Sequence, residues 1–178
     1  MTRQDVYHNQ VVEILKDRFG SARTMVGAEL GVWKGELSAR LLSQFPNLRL
    51  IMIDSWQANR MGDLGVTEQS MLDAKHNTEP WADRRTIIIQ DIVQATKFLD
   101  ELDWVYIDAN HKHEFVMSDL FSIWPCMKLD GLIMGHDDDG RSDKVGRFGV
   151  KPSVDFFCER LGFEVHKGKQ LVWWLEKK

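Results

Sequence analysis

Short apolar runs alternate with amphipathic segments along almost the whole chain, and this alternation most limits what it can fold into. The runs "TMVGAELG" (24–31), "LRLIMID" (48–54), "RTIIIQ" (85–90), "DWVYIDA" (103–109) and "GLIMGHD" (131–137) have the length and β-branched content of buried strands. The segments between and around them carry apolar residues at helical spacing: residues 5–19, 36–45, 68–77, 92–102, 113–128 and 151–162. Pro152 near the start and Gly162 after the end bound the last of these as helix boundaries prefer. Strands alternating with helices predict a parallel sheet covered on both faces. "FEVHKG" (163–168) and "QLVWWLEK" (170–177) break the alternation and predict an antiparallel C-terminal hairpin.

The expectation is one α/β domain over residues 1–178: an N-terminal helix within 1–20, about five βα units, then the hairpin. There are no repeats and no linker. The polar segments 55–85 and 138–149 are the candidate substrate lids. A net charge of −4 argues against a broad grip on nucleic acid. The polar start "MTRQDVYHNQ" lacks the core of a signal peptide, and no apolar run approaches the ~20 residues that span a bilayer, so a cytoplasmic protein without membrane contact is expected. Cys126 and Cys158 stand apart, in apolar helical patterns, as buried thiols.

Open α/β sheets bind ligands beyond the carboxyl ends of their strands, where strand order reverses, and the loop after the first strand borders that point. Here it is Glu29-Leu30-Gly31-Val32-Trp33-Lys34-Gly35. The middle glycine of a dinucleotide fingerprint is missing, and Glu36 follows Gly35 where a phosphate-binding loop needs lysine. An acid at the helix start repels phosphate. The loop therefore suits a nucleoside without phosphates, with Glu29 facing a cationic amine. S-adenosylmethionine has both properties; a purely structural turn is the competing reading. Asp54 with Ser55, after the second strand, is placed for ribose hydroxyls, and Asp91, after the third, for an adenine amino group. Singly, such aspartates are more often helix caps or turn residues.

With "VYIDANHKHEFVMSDLFSIWPCMKLDGLIMGHDDD" included, together with "FGVKPSVDFF" and "LVWWLEK", residues 24–177 resemble class I S-adenosylmethionine-dependent methyltransferases. The similarity is to the small-molecule branch with macrocin-type sugar and catechol-type O-methyltransferases. The resemblance implies a Rossmann-like sheet of seven strands with the last inserted antiparallel, and methyl transfer to a small-molecule acceptor, with a hydroxyl as the expected position. It also implies a divalent metal. The matching positions are Asp108, also at the cofactor edge, with Asp137 and Asp138, an oxygen-only set suited to Mg²⁺ or another hard cation.

The chain departs from the sugar-methylating pattern at Asn110, where an acidic base is expected, since an amide cannot take a proton. His111, three positions after Asp108, stands at the offset of the catechol-type base, and His136 is the second candidate. Alternatives are a non-catalytic cofactor-binding module, a nicotinamide-dependent oxidoreductase, an iron site using His136 and His166, and a zinc site at His111 and His113. Arg141, Lys144 and Arg147 suggest a sugar-like or anionic acceptor, or a solvated loop; Trp56 and Trp81 are candidates to fold over the site. The hairpin and the N-terminal helix are either core or the face of a homodimer.

Overall fold

The computed structural model describes residues 3–57, 68–137 and 149–178, with the side chains of Arg3 and Gln170 excepted. The elements are α1 (Arg3–Phe19), β1 (Met25–Leu30), α2 (Glu36–Gln44), β2 (Leu48–Asp54), α3 (Glu68–Asn77), β3 (Arg85–Ile89), α4 (Ile92–Ala95), β4 (Leu102–Ile107), α5 (His113–Ile123), β5 (Met127–Gly135), α6 (Val150–Leu161), β6 (His166–Lys167) and β7 (Trp173–Glu176). The strands form one 7-stranded sheet in the order β3-β2-β1-β4-β5-β7-β6. β1 to β5 pair in parallel, and β7 enters antiparallel between β5 and β6. Strand order thus reverses between β1 and β4, beside the loop after the first strand.

The period-2 pattern of the strands sends side chains to two apolar layers. One joins Val11 and Leu15 of α1, Leu37 and Leu41 of α2, and Trp104 and Tyr106 of β4. The other joins Val105 and Ile107 of β4, Val116 and Leu120 of α5, and Val154 and Phe157 of α6. Arginine side chains close two of the helices. Arg84 donates to the carbonyls of Leu42 and Phe45 at the end of α2, and Arg85 to that of Lys75 in the last turn of α3. Orphan carbonyls of helix ends are thereby satisfied.

Two sequence expectations are corrected, and a third segment is given its place in the fold. The helix expected over 92–102 ends early: α4 covers Ile92–Ala95, Thr96–Phe98 form a 3₁₀ turn, and Leu102 already belongs to β4. The helix expected to 128 stops at Ile123, because Pro125 cannot continue the bonding ladder, and a 3₁₀ turn over Trp124–Cys126 hands Met127 and Lys128 to β5. The third concerns residues 55–85, expected to be a lid. Ser70 and Ala74 of α3 are buried, and Met71 and Trp81 pack against the first apolar layer. The described part from 68 onward thus packs on the body of the domain and, through Ala74, beside Gly35 of the loop after β1. Residues 58–67 and 138–148 lie outside the described residues. Among the described residues no helix is long and apolar enough to cross a membrane.

Candidate active site

The loop after β1 stands where strand order reverses, bordering the crevice beyond the ends of β1 and β4 in which open α/β sheets bind ligands. Gly31 adopts φ 88° and Gly35 φ 72°, the left-handed region that glycine enters without strain. The sequence suggests that both glycines let the backbone approach a cofactor; the structure gives them neighbours in the protein. A Cβ on Gly31 would collide with the Asp108 carbonyl oxygen, so this glycine lets the ends of β1 and β4 close on each other. A Cβ on Gly35 would meet Ala74 of α3 at 3.0 Å.

Asp54 organises the same loop. Its Oδ2 accepts from the backbone N–H groups of Val32 and Trp33 at 2.9 and 3.0 Å, and its Oδ1 from that of Trp56 at 2.8 Å. Trp56, only 6% exposed, donates its indole N–H to the Trp33 carbonyl. The carboxylate thus ties the loops after β1 and β2 together before any ligand arrives. A carboxylate offers about four lone-pair sites, so room remains for a ribose hydroxyl. Ser55 accepts from the Gln57 N–H at 3.4 Å. Asp91 is the N-cap of α4 and receives the Gln94 N–H. Burial and the nearby Asp91 push the Asp119 carboxyl of α5 up to about 7.

Glu29, on β1, is 3% exposed and takes the Ser38 hydroxyl as its hydrogen-bond donor. Burial lifts its carboxyl to about 8, with the Ser38 bond pulling the other way. A buried carboxyl held protonated beside a crevice is a group lacking a cation, and a ligand ammonium would restore its charge. That is the observation by which the site fits S-adenosylmethionine.

Beyond β4 and β5 the chemistry changes. His111 Nε2 lies 3.1 Å from Asp108 Oδ1 and 3.6 Å from Asp137 Oδ2, and its side chain is 29% exposed. His136 Nδ1 lies 3.1 Å from Asp137 Oδ1. The sequence's Asp108, His111, His136 and Asp137 therefore do converge. Asp138 lies outside the described residues, as do Arg141, Lys144 and Arg147. Among the described residues no group of three His, Cys, Asp or Glu side chains is arranged to hold a metal. The point on which the carboxylates of Asp108 and Asp137 converge is taken by His111. The residues described do not by themselves fit a hard divalent cation, and no step is assigned to one.

Asn110 shapes the backbone instead. Its Oδ1 accepts the Lys112 N–H at 3.1 Å, turning the chain into α5. His113 faces Ser153 of α6 at 2.8 Å, and His166 stacks on Trp174 in the hairpin, so neither joins His111 or His136 as an iron or zinc set. The Gly149 N–H donates to the His111 carbonyl at 2.6 Å and fixes its backbone.

Sequence reasoning missed two residues here. Tyr7 of α1 stacks on His136 with ring centroids 4.3 Å apart, and His8 meets Tyr7 edge-on at 4.5 Å. Burial, with Arg40 adding to it, lowers the His8 imidazole to about 4. No motif contains Tyr7 or His8. The one signal was two polar rings inside the otherwise apolar stripe of Val6, Val11, Val12 and Leu15.

A seven-stranded sheet with this strand order, β7 entering antiparallel between β5 and β6, is the fold of class I S-adenosylmethionine-dependent methyltransferases. The methyltransferase-domain family model matches residues 28–137, and the chain belongs to that family. No curated protein sequence matches it. Solved structures share the fold. A proposed rRNA methylase from Clostridium thermocellum is 16% identical over 95% of this chain and 94% of that one, with a TM-score of 0.73. A proposed caffeoyl-CoA O-methyltransferase from Staphylococcus aureus is 14% identical over 96% and 83%, with a TM-score of 0.73. A proposed O-methyltransferase from Nostoc punctiforme is 13% identical over 98% of this chain and 57% of that one, with a TM-score of 0.72.

Proposed function

We propose that the enzyme methylates a hydroxyl of a small, sugar-like or anionic molecule in the cytoplasm, with His111 as general base. The observation that carries this is His111 Nε2 held between Asp108 and Asp137 while its ring stays accessible at the mouth of the crevice. S-adenosylmethionine, when bound, supplies an electrophilic methyl group on a sulfonium and keeps the bonding pair as a neutral thioether. Glu29 would take its ammonium, Asp54 and Ser55 its ribose, and Asp91 its adenine. The loop residues 31–35, preset by Asp54, would place the donor without reorganising at the moment of reaction.

His111 takes the proton from the acceptor hydroxyl as the oxygen–methyl bond forms. The imidazolium so made faces two carboxylates, which lowers the cost of the charge that develops.

The test pairs two measurements. Calorimetric titration with S-adenosylhomocysteine and with NAD is expected to show binding of the first alone. Transfer of labelled methyl to a library of hydroxylated, aminated and thiol acceptors is expected to favour hydroxyls and to fall on His111→Ala. Transfer confined to amines, or a rate indifferent to His111→Ala, sinks the reading. A rate abolished by chelator and restored by Mg²⁺ would make a metal assist the hydroxyl. Binding without any transfer would leave a cofactor-binding module.

A further inference from the structure

We propose that Tyr7, from the first helix, is a positioning residue of the methyl-transfer centre: its ring holds the His136 imidazole in the orientation that directs Nδ1 at Asp137, and through Asp137 it sets the place of His111. The inference rests on the reading of His111 given above.

Four groups stand in line. The Tyr7 ring lies 4.3 Å from the His136 ring, tilted by 31°. His136 Nδ1 meets Asp137 Oδ1 at 3.1 Å. The other oxygen of Asp137 lies 3.6 Å from His111 Nε2, which is itself 3.1 Å from Asp108. His136 is 7% exposed, and its Nε2 is buried with no hydrogen-bond partner. With a carboxylate at Nδ1 and nothing at Nε2, the proton belongs on Nδ1, an assignment made from the hydrogen-bond geometry. Besides the Nδ1 contact with Asp137, what holds a buried imidazole with one nitrogen bare against turning over is what packs on its face. On the face toward α1, that is Tyr7.

A second observation points to the same seam. Among the described residues, the buried side-chain nitrogens and oxygens without partners are Gln10 Oε1, Trp104 Nε1, Tyr106 Oη and His136 Nε2. Gln10 is on α1, Trp104 and Tyr106 share an apolar layer with Val11 and Leu15 of α1, and His136 lies against Tyr7. Polar groups left unpaired cost roughly 1–3 kcal/mol each, and most interiors avoid them. Three of them, on Trp104, Tyr106 and His136, lie on the side of β4 and β5 that α1 covers, while Gln10 lies against Gly168 of the hairpin. The helix is anchored from its other side: Arg40 of α2 binds the Asp5 carboxylate at 2.7 Å and the Asn9 side chain. The Tyr7 hydroxyl, raised by burial and by Asp108, Asp137, Glu29 and Glu36, stays protonated. The ring, not a phenolate, is the working part.

The test uses the full chain labelled with ¹⁵N at histidine, with His136 assigned by its loss in His136→Asn. Two-bond ¹⁵N–¹H correlations at fixed neutral pH are expected to show the His136 proton confined to Nδ1 in the wild type and in Tyr7→Phe. In Tyr7→Leu the two nitrogens should average, and the His111 signals should move with them. S-adenosylhomocysteine affinity should be unchanged in both variants. Should Tyr7→Leu not fold, Tyr7→Met takes its place. On an acceptor that the wild type turns over, Tyr7→Leu should lower kcat roughly tenfold or more with the donor KM unchanged, and Tyr7→Phe should restore it. A His136 pattern identical in Tyr7→Leu, or disturbed equally by phenylalanine and leucine, overturns the proposal. These spectra decide Tyr7 even if no hydroxyl is ever methylated, so the failure of one reading is distinguishable from that of the other.

Discussion

The two halves of the crevice are built on different principles. On the side of β1 to β3, the polar side chains are spoken for by the protein's own backbone and hydroxyls: Asp54 by Val32, Trp33 and Trp56, Asp91 by Gln94, Glu29 by Ser38. On the side of β4, β5 and α1 they face one another, His111 between two aspartates and His136 against Tyr7. The first half is tied up by the protein itself, as the proposed cofactor side requires. The second is a row of histidines and aspartates in mutual contact, with a ring of the first helix packed against it. A donor common to many reactions needs the former, and a proton that must move needs the latter.

The widest break of the comparison is Gly31→Val. The new side chain would sit against the Asp108 carbonyl at a positive φ, so both halves should be disturbed together. Urea denaturation should show a loss of about 3 kcal/mol or more, or no cooperative transition at all. A variant that keeps wild-type stability would mean the strand ends can part freely.

His111→Ala breaks one half alone. Methyl transfer should fall about 100-fold or more, while the melting temperature and S-adenosylhomocysteine affinity hold. Asp54→Ala breaks the other. Losing bonds from three backbone N–H groups to a carboxylate should cost about 2–3 kcal/mol of stability and weaken S-adenosylhomocysteine binding. Equal affinity in the folded variant would remove Asp54 from the ligand's contacts and leave it a loop tie.

A subtler effect sharpens the contrast through pH. Glu29 is raised from 4.5 to about 8 and Asp119 from 3.8 to about 7, so the folded chain keeps protons that the unfolded chain has shed. Stability contributed by these groups is therefore greatest at acid pH and is lost as pH rises through those values. His8, lowered from 6.5 to about 4, acts oppositely: the unfolded chain holds the proton, and stability rises with pH between those two values. Above the ordinary histidine range only the decline remains. Denaturation at pH 6.5 and pH 8 should show it, and Glu29→Gln should remove the part nearest pH 8. Binding of S-adenosylhomocysteine near neutral pH should release a proton, because its ammonium ionises Glu29. Calorimetry in buffers of different ionisation enthalpy reads that proton directly, and no release would mean the ammonium goes elsewhere.

The smallest expected effect is none. Excess chelator should leave S-adenosylhomocysteine affinity unchanged, since the residues proposed to hold the ligand lie on the loops after β1 to β3, away from the Asp108 and Asp137 carboxylates that the sequence suggested for a metal. Affinity that falls on chelation would join the two halves that the structure keeps apart.

Local patterns carried far. The alternation of "LRLIMID" and its fellow strands with amphipathic helices needs only neighbouring residues to be read, because periods of 2 and 3.6 are local properties of the backbone. The acids at successive strand ends could likewise be placed at one edge, since parallel strands share a direction, and His111 could be placed near Asp108 by an offset of three. What those groups touch was decided only by tertiary structure. Nothing near Asp54 announces that Val32 and Trp33 will claim its oxygens, and nothing in the glycine motif says that Gly31 must admit the backbone of Asp108. Tyr7 and His136 are 129 positions apart in the chain. Their meeting follows from how α1 lies across β4 and β5, a matter of packing among residues that no short window contains. The sequence determined the sheet, its edge and the kinds of groups along it; the packing of the first helix decided which of those groups would face one another.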